Sequence, residues 1–175
     1  MSEKIEGRWQ IDDNEHVAFQ KIVNCPGIDK EELYSRALNF FTAEFSDNSS
    51  VIQERNTFTG IIIAKGVFKK VSILNTVLRN SSVDTFYILK TEVRDGRARI
   101  TITLTHYDES VRGNDPPDIH YLYLVSKQFP FNATDHYRDL YGEAYRVSQS
   151  RALELISSAE KALLADALPS GRDSW

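Results

Sequence analysis

Four histidines, a single cysteine and a scatter of serines and acids are the residues of this chain that could do chemistry. His16, His106, His120 and His136 lack both the i,i+4 spacing of a helical metal site and the Cys-x-x-Cys spacing of a zinc site, so no metal is expected. His106 and His120 could approach each other across the loop between them. Together with His136 and loop carboxylates such as Asp115 and Asp118 they supply the material for a hydrolase-like alternative, but the plainer reading is strand-end histidines and solvated turn formers. Ser148, Ser150, Ser157 and Ser158 fall in a helical segment with no nucleophile elbow. The stretch from Gly60 to Gly66 holds neither Gly-Lys-Ser/Thr nor G-x-G-x-x-G, which argues against a phosphate cradle. Cys25 excludes an intramolecular disulfide and, with no basic neighbour, reads as a partly buried structural thiol. No catalytic residue and no cofactor is expected, and the chain does not read as an enzyme.

Two groups of residues could bind something. Tyr121, Tyr123, Phe129, Phe131, His136, Tyr137, Tyr141 and Tyr145 form an aromatic cluster, and a tyrosine's apolar ring and polar tip suit a half-wet junction between helix and sheet. The cluster either closes the core or lines a pocket. Tyr121, Tyr123, Tyr137, Tyr141 and Tyr145 are the candidate ligand- or partner-binding residues. The second group is Lys90, Arg94, Arg97 and Arg99 opposed by Glu92, which reads as a solvated strand face with a Glu92–Arg99 cross-strand pair. A net charge of −4 argues against a nucleic-acid partner, because non-specific binding there needs a large basic surface. The expected role is therefore a non-catalytic binding or interaction module for a small apolar ligand or a protein partner. No run approaches the roughly 20 apolar residues of a membrane span. At face value the chain is cytoplasmic; it is exported if a signal peptide has been removed.

The elements that must position these groups follow from periodicity. Phe86 to Thr105 alternates with period two about Asp95-Gly96, a pair suited to a type I′ hairpin turn. That register sets Val93 opposite Ala98, Leu89 opposite Ile102 and Tyr87 opposite Leu104 on an apolar face. Arg94–Arg97, Glu92–Arg99, Lys90–Thr101, Ile88–Thr103 and Phe86–Thr105 fall on a wet face. His16 to Cys25 reads as a first strand, and Asp29 as the cap of a helix bearing Leu33, Ala37, Phe40, Phe41 and Phe45. Val51–Arg55 and Thr59–Phe68 form a second hairpin, with Gly60 and Gly66 marking a bulge or a close backbone approach. Lys69 to Asn80 fits neither period, and Ile119 to Val125 is a short strand or a connector. A last helix, beginning near Gly142, lays Tyr141, Ala144, Tyr145, Ser148, Ala152, Leu155, Ile156, Ala159 and Leu163 on one face. The class is α+β, two layers, mainly antiparallel, in the order β-α-β-β-β-β-α. Two amphipathic helices must lie on one face of the sheet, because its apolar side needs a cover. One domain is expected over 12–168, with 1–11 and 169–175 as flexible termini.

Asp29-Lys-Glu-Glu-Leu-Tyr34, Val51-Ile-Gln53, Gly60 through Ala64-Lys-Gly66 and Val93-Arg-Asp-Gly-Arg97 occur in this order. In these residues the chain resembles a bacterial family of unknown function common in gut anaerobes, over roughly Val17 to Leu164. The resemblance implies a TATA-binding-protein-like (TBP-like) fold with a strand–helix–strands–helix layout. It implies no catalytic residues. Many members of that family are exported or lipoproteins, and this sequence departs from them in lacking a signal.

Overall fold

The alternation about Asp95-Gly96 becomes a pair of long strands, and the remaining elements assemble around them. The computed structural model describes residues 9–46, 51–77, 80–112, 118–132, 134 and 137–165. The chain runs β1 (Gln10–Ile11), β2 (Val17–Asn24), α1 (Lys30–Glu44), β3 (Val51–Asn56), β4 (Ile61–Asn75), β5 (Asn80–Arg94), β6 (Arg97–Arg112), β7 (Ile119–Leu124) and α2 (Arg138–Leu164). These strands form one seven-stranded sheet in the order β1-β2-β6-β5-β4-β3, with β7 also on β6. Every pairing is antiparallel. β2 pairs with Arg97–Leu104 and β7 with His106–Val111, so the two share one edge of the long β6. The expected α+β layout is the observed one, with β1 and β7 as additional strands. β1 falls in the segment expected to be a flexible terminus.

Asp29 caps α1 by accepting the Glu32 amide at 2.8 Å, while Glu32 pairs with Arg36 at 2.7 Å rather than reaching back to the cap. Leu33, Ala37, Phe41 and Phe45 are buried as the spacing predicts, joined by Tyr34, and Phe40 is half-buried. On α2 the whole predicted stripe from Tyr141 to Leu163 is buried. That helix starts at Arg138, a turn earlier than Gly142, and Gly142 lies against the Phe129 ring. The two helices cover one sheet face and, with Val17, Phe19, Ile62, Leu89, Ile100, Ile102 and Leu104, enclose one apolar core.

Gly66 marks a close approach. A Cβ there would lie 2.5 Å from the Tyr87 ring, which stacks on Phe68 at 4.2 Å between centroids. Gly60 likewise lies against the Val93 carbonyl. Neither is the bulge: β4 breaks register between Phe68 and Ser72, where Lys70 adopts φ 50°.

The central hairpin needs two corrections. Its register holds from Arg94–Arg97 to Tyr87–Leu104, but Phe86 lies opposite His106, not Thr105. Thr105 is the extra residue of a β-bulge, its hydroxyl donating to the Phe86 carbonyl at 3.2 Å. The turn is not type I′ either, since only Gly96 has a positive φ (72°). Tertiary contacts decide this. Gly96 donates its N–H to Ile28 and accepts from Cys25, while the Asp95 carboxylate accepts the Lys30 amide at 2.9 Å, docking the turn on the start of α1.

Candidate functional site

The bulge at Thr105 shifts the inside/outside parity of β6 by one residue. Before it Ala98, Ile100, Ile102 and Leu104 face the helices; after it Tyr107 and Glu109 do. Both are fully buried beneath α2. The Tyr141 hydroxyl donates to Glu109 at 2.9 Å, and the Tyr107 and Tyr141 rings lie 5.4 Å apart. Farther along α2, Ser148 shares a 2.7 Å hydrogen bond with Thr85 of β5. The Tyr107 and Tyr145 hydroxyls are buried without a partner among the described residues. Burial pushes the Tyr145 phenol up to about 12; Tyr107 shifts the same way, chiefly from burial and then from neighbouring Tyr145.

The structure divides the candidate tyrosines by depth. Tyr141 and Tyr145 are core residues; Tyr123 is half-buried, edge-on to Tyr141 at 5.9 Å; Tyr121 and Tyr137 are exposed. Phe131 meets Tyr145 and Trp9 edge-on at 5.0 and 4.8 Å. The periodicity of α2 shows where Tyr141 faces. Its partner Glu109 was not legible in the sequence, because nothing local announces a bulge that turns an acid inward.

Among the described residues the histidines do not converge. His106 stacks on Phe86 at 4.5 Å, and burial, outweighing the attraction of Asp108, holds its imidazole below the usual range. His120 pairs through Nδ1 with Asp108 at 2.9 Å, exposed on the uncovered sheet face. His106 lies opposite Leu124 and His120 opposite Ser110, four pairs apart, or roughly 13 Å along the ladder. Ser110 thus neighbours an Asp–His pair, yet its hydroxyl points to Asp118 at 3.4 Å. His16 pairs with Asp12 at 3.5 Å. His136 and Asp115 lie outside the described residues. Cys25 is fully buried, and burial raises its thiol pKa, as suits a structural role.

The uncovered face is less polar than the hairpin alone predicts. β4 contributes Ile61, Ile63 and Val67 beside Phe86 and Ile88 of β5, and β2 contributes Ile22. At the hairpin end Glu92 takes a hydrogen bond from Arg99 at 2.8 Å and forms an ion pair with Lys90 at 3.3 Å. Burial opposes ionisation of Glu92, but those two cations outweigh it and hold the carboxyl below its ordinary range. Ile22, Glu92, Arg94, Arg97 and Arg99 line a cleft of ≈ 190 Å³.

A family model described as a domain of unknown function (DUF4468) with TBP-like fold matches residues 19–108, just over half of the chain. The chain belongs to this family. A solved DUF4468 family protein from Bacteroides ovatus ATCC 8483 is similar at 15% identity and a TM-score of 0.65, over 93% of this chain and 94% of that one. A TBP-like protein from Parabacteroides distasonis ATCC 8503 is similar at 9% identity and a TM-score of 0.58, over 86% and 96%. At such identities the likeness shows the fold alone. No curated protein matches the chain. The DUF4468 match takes in β2 through most of β6, and with them the basic end of the open face. The tyrosine end, on β7 and α2, lies beyond it.

Proposed function

We propose that this DUF4468 domain is a non-catalytic interaction module that engages a protein partner through the uncovered face of its sheet. One observation carries the reading: both helices lie on one side, and the other side presents Ile22, Ile61, Ile63, Val67, Phe86 and Ile88 to solvent with no element over them among the described residues. A broad sheet face suits a protein partner, whereas a small apolar ligand is held best by a concavity that buries most of its surface. The three described histidines, His16, His106 and His120, each paired or stacked locally, support a non-catalytic role over a hydrolase-like one. A second reading takes the partner or ligand to the tyrosine end, favoured by the exposed rings of Tyr121 and Tyr137 at the rim of the cluster.

Site-specific photo-crosslinking separates these readings. Benzoylphenylalanine is placed singly at Ile63, Ile88, Tyr121, Tyr137 and, as a control, the exposed Glu154 of α2. Adducts with one identified protein at Ile63 and Ile88 but not at Glu154 are expected. Adducts confined to Tyr121 and Tyr137 would move the site to the tyrosine end. No adduct at either surface would overturn the interaction-module reading.

A further inference from the structure

We infer that the hairpin end of the open face is a carboxylate-binding site for an acidic, extended segment of a protein partner; this rests on the open-face reading above. Arg94 and Arg97 lie directly opposite each other beside the turn, an arrangement of like charges that costs stability. Neither guanidinium has a hydrogen bond or an ion pair among the described residues. Nearby carboxylates are already committed. Glu92 serves Arg99 and Lys90, and Asp95 is turned away to the Lys30 amide. Four cations thus share one acid at this end of a chain whose net charge is −4. The three arginines converge on the ≈ 190 Å³ cleft floored by Ile22, which is 60% exposed.

Each free guanidinium presents a planar fork that takes a carboxylate in two parallel hydrogen bonds. Aliphatic side chains border this charged end on both sides: Ile22 of β2 lies opposite Arg99, and Ile61 and Ile63 of β4 lie opposite Glu92 and Lys90. An extended segment that carries both acidic and aliphatic side chains matches this pattern of basic residues bordered by isoleucines. Nucleic acid matches it less well, because the floor is aliphatic and offers no ring for base stacking.

The probe is a short fluorescent peptide of alternating Glu and Val, followed by anisotropy, with a Lys/Val peptide and an oligothymidylate as comparators. The intact domain should bind the acidic peptide preferentially, and more weakly as salt rises. Arg94→Glu with Arg97→Glu should weaken binding about tenfold or more. Glu92→Gln, which frees Arg99 and Lys90, should tighten it. Should the charge reversal fail to fold, Arg94→Gln with Arg97→Gln is read in its place. No binding by the native domain, unchanged binding by the arginine variant, or tighter binding of the oligothymidylate would each overturn the proposal. A partner adduct at Ile63 that survives the arginine substitutions sinks this site alone. Absence of that adduct in the native domain removes the open-face reading beneath it.

Discussion

Three buried tyrosines, Tyr107 of β6 and Tyr141 and Tyr145 of α2, carry the same phenol in different circumstances. Tyr141 donates to the buried Glu109, so Tyr141→Phe takes a hydrogen bond from a fully buried carboxyl group and should cost about 1–3 kcal/mol. The Tyr107 hydroxyl is buried without a partner among the described residues, so Tyr107→Phe should be neutral or stabilising by about 1 kcal/mol. Urea denaturation of the two variants should give ΔΔG values of opposite sign, or one large and one near zero. Alkaline pH acts on the same group. An unfolded tyrosine ionises near pH 10, whereas Tyr145 is held up to about 12 by burial. The folded state therefore keeps its proton longer. This contribution to stability is full below about pH 10 and lost as pH rises through 12. Tyr145→Phe should flatten the fall in urea midpoint over that window; an unaltered slope would assign alkaline unfolding to other groups.

At the scale of the element, the hairpin turn and α2 are the two features most open to test. Gly96 holds φ 72°, and a Cβ added there would meet only the Cys25 carbonyl, at 3.9 Å. Space is not the constraint there; backbone conformation is. Gly96→Val should destabilise by about 1–2 kcal/mol, because a β-branched residue resists that region. Thermal melts of the variant check it, and an unchanged midpoint would count against the assigned turn. Along α2, Leu155 and Ile156 are buried against the rest of the core. Alanine at either should cost about 2–5 kcal/mol, since it empties a site in the packed core. Substitution at the exposed Glu154 or Lys161 should stay within about 0.5 kcal/mol. Asp166, expected to be equally tolerant, lies outside the described residues.

The whole molecule is two layers sharing one core that joins β2, α1, β4, β5, β6 and α2. Far-UV and near-UV circular dichroism should therefore report one coincident unfolding transition; two separated transitions would mean that the helical layer detaches before the sheet. Much of this arrangement was legible in the sequence. The stripes of α1 and α2, the Asp29 cap and the hairpin register from Arg94–Arg97 to Tyr87–Leu104 follow from neighbouring residues: periods of 3.6 and 2, a capping acid and a turn dipeptide. The candidate site was legible only in part. Sequence placed Arg94, Arg97 and Arg99 on one face and set Tyr141 and Tyr145 on the apolar stripe of the last helix, but it could not say how deep Tyr121, Tyr123 and Tyr137 lie or what stands beside the arginines. Tertiary structure decided those points. The bulge at Thr105 turned Tyr107 and Glu109 inward and His106 outward. Docking of the turn on Ile28 and Lys30 replaced the turn type that Asp95-Gly96 favours. β4, some thirty residues earlier in the chain, set Ile61 and Ile63 beside Glu92 and Lys90 of β5. Each depends on contacts between segments far apart in sequence, and no local period carries that information.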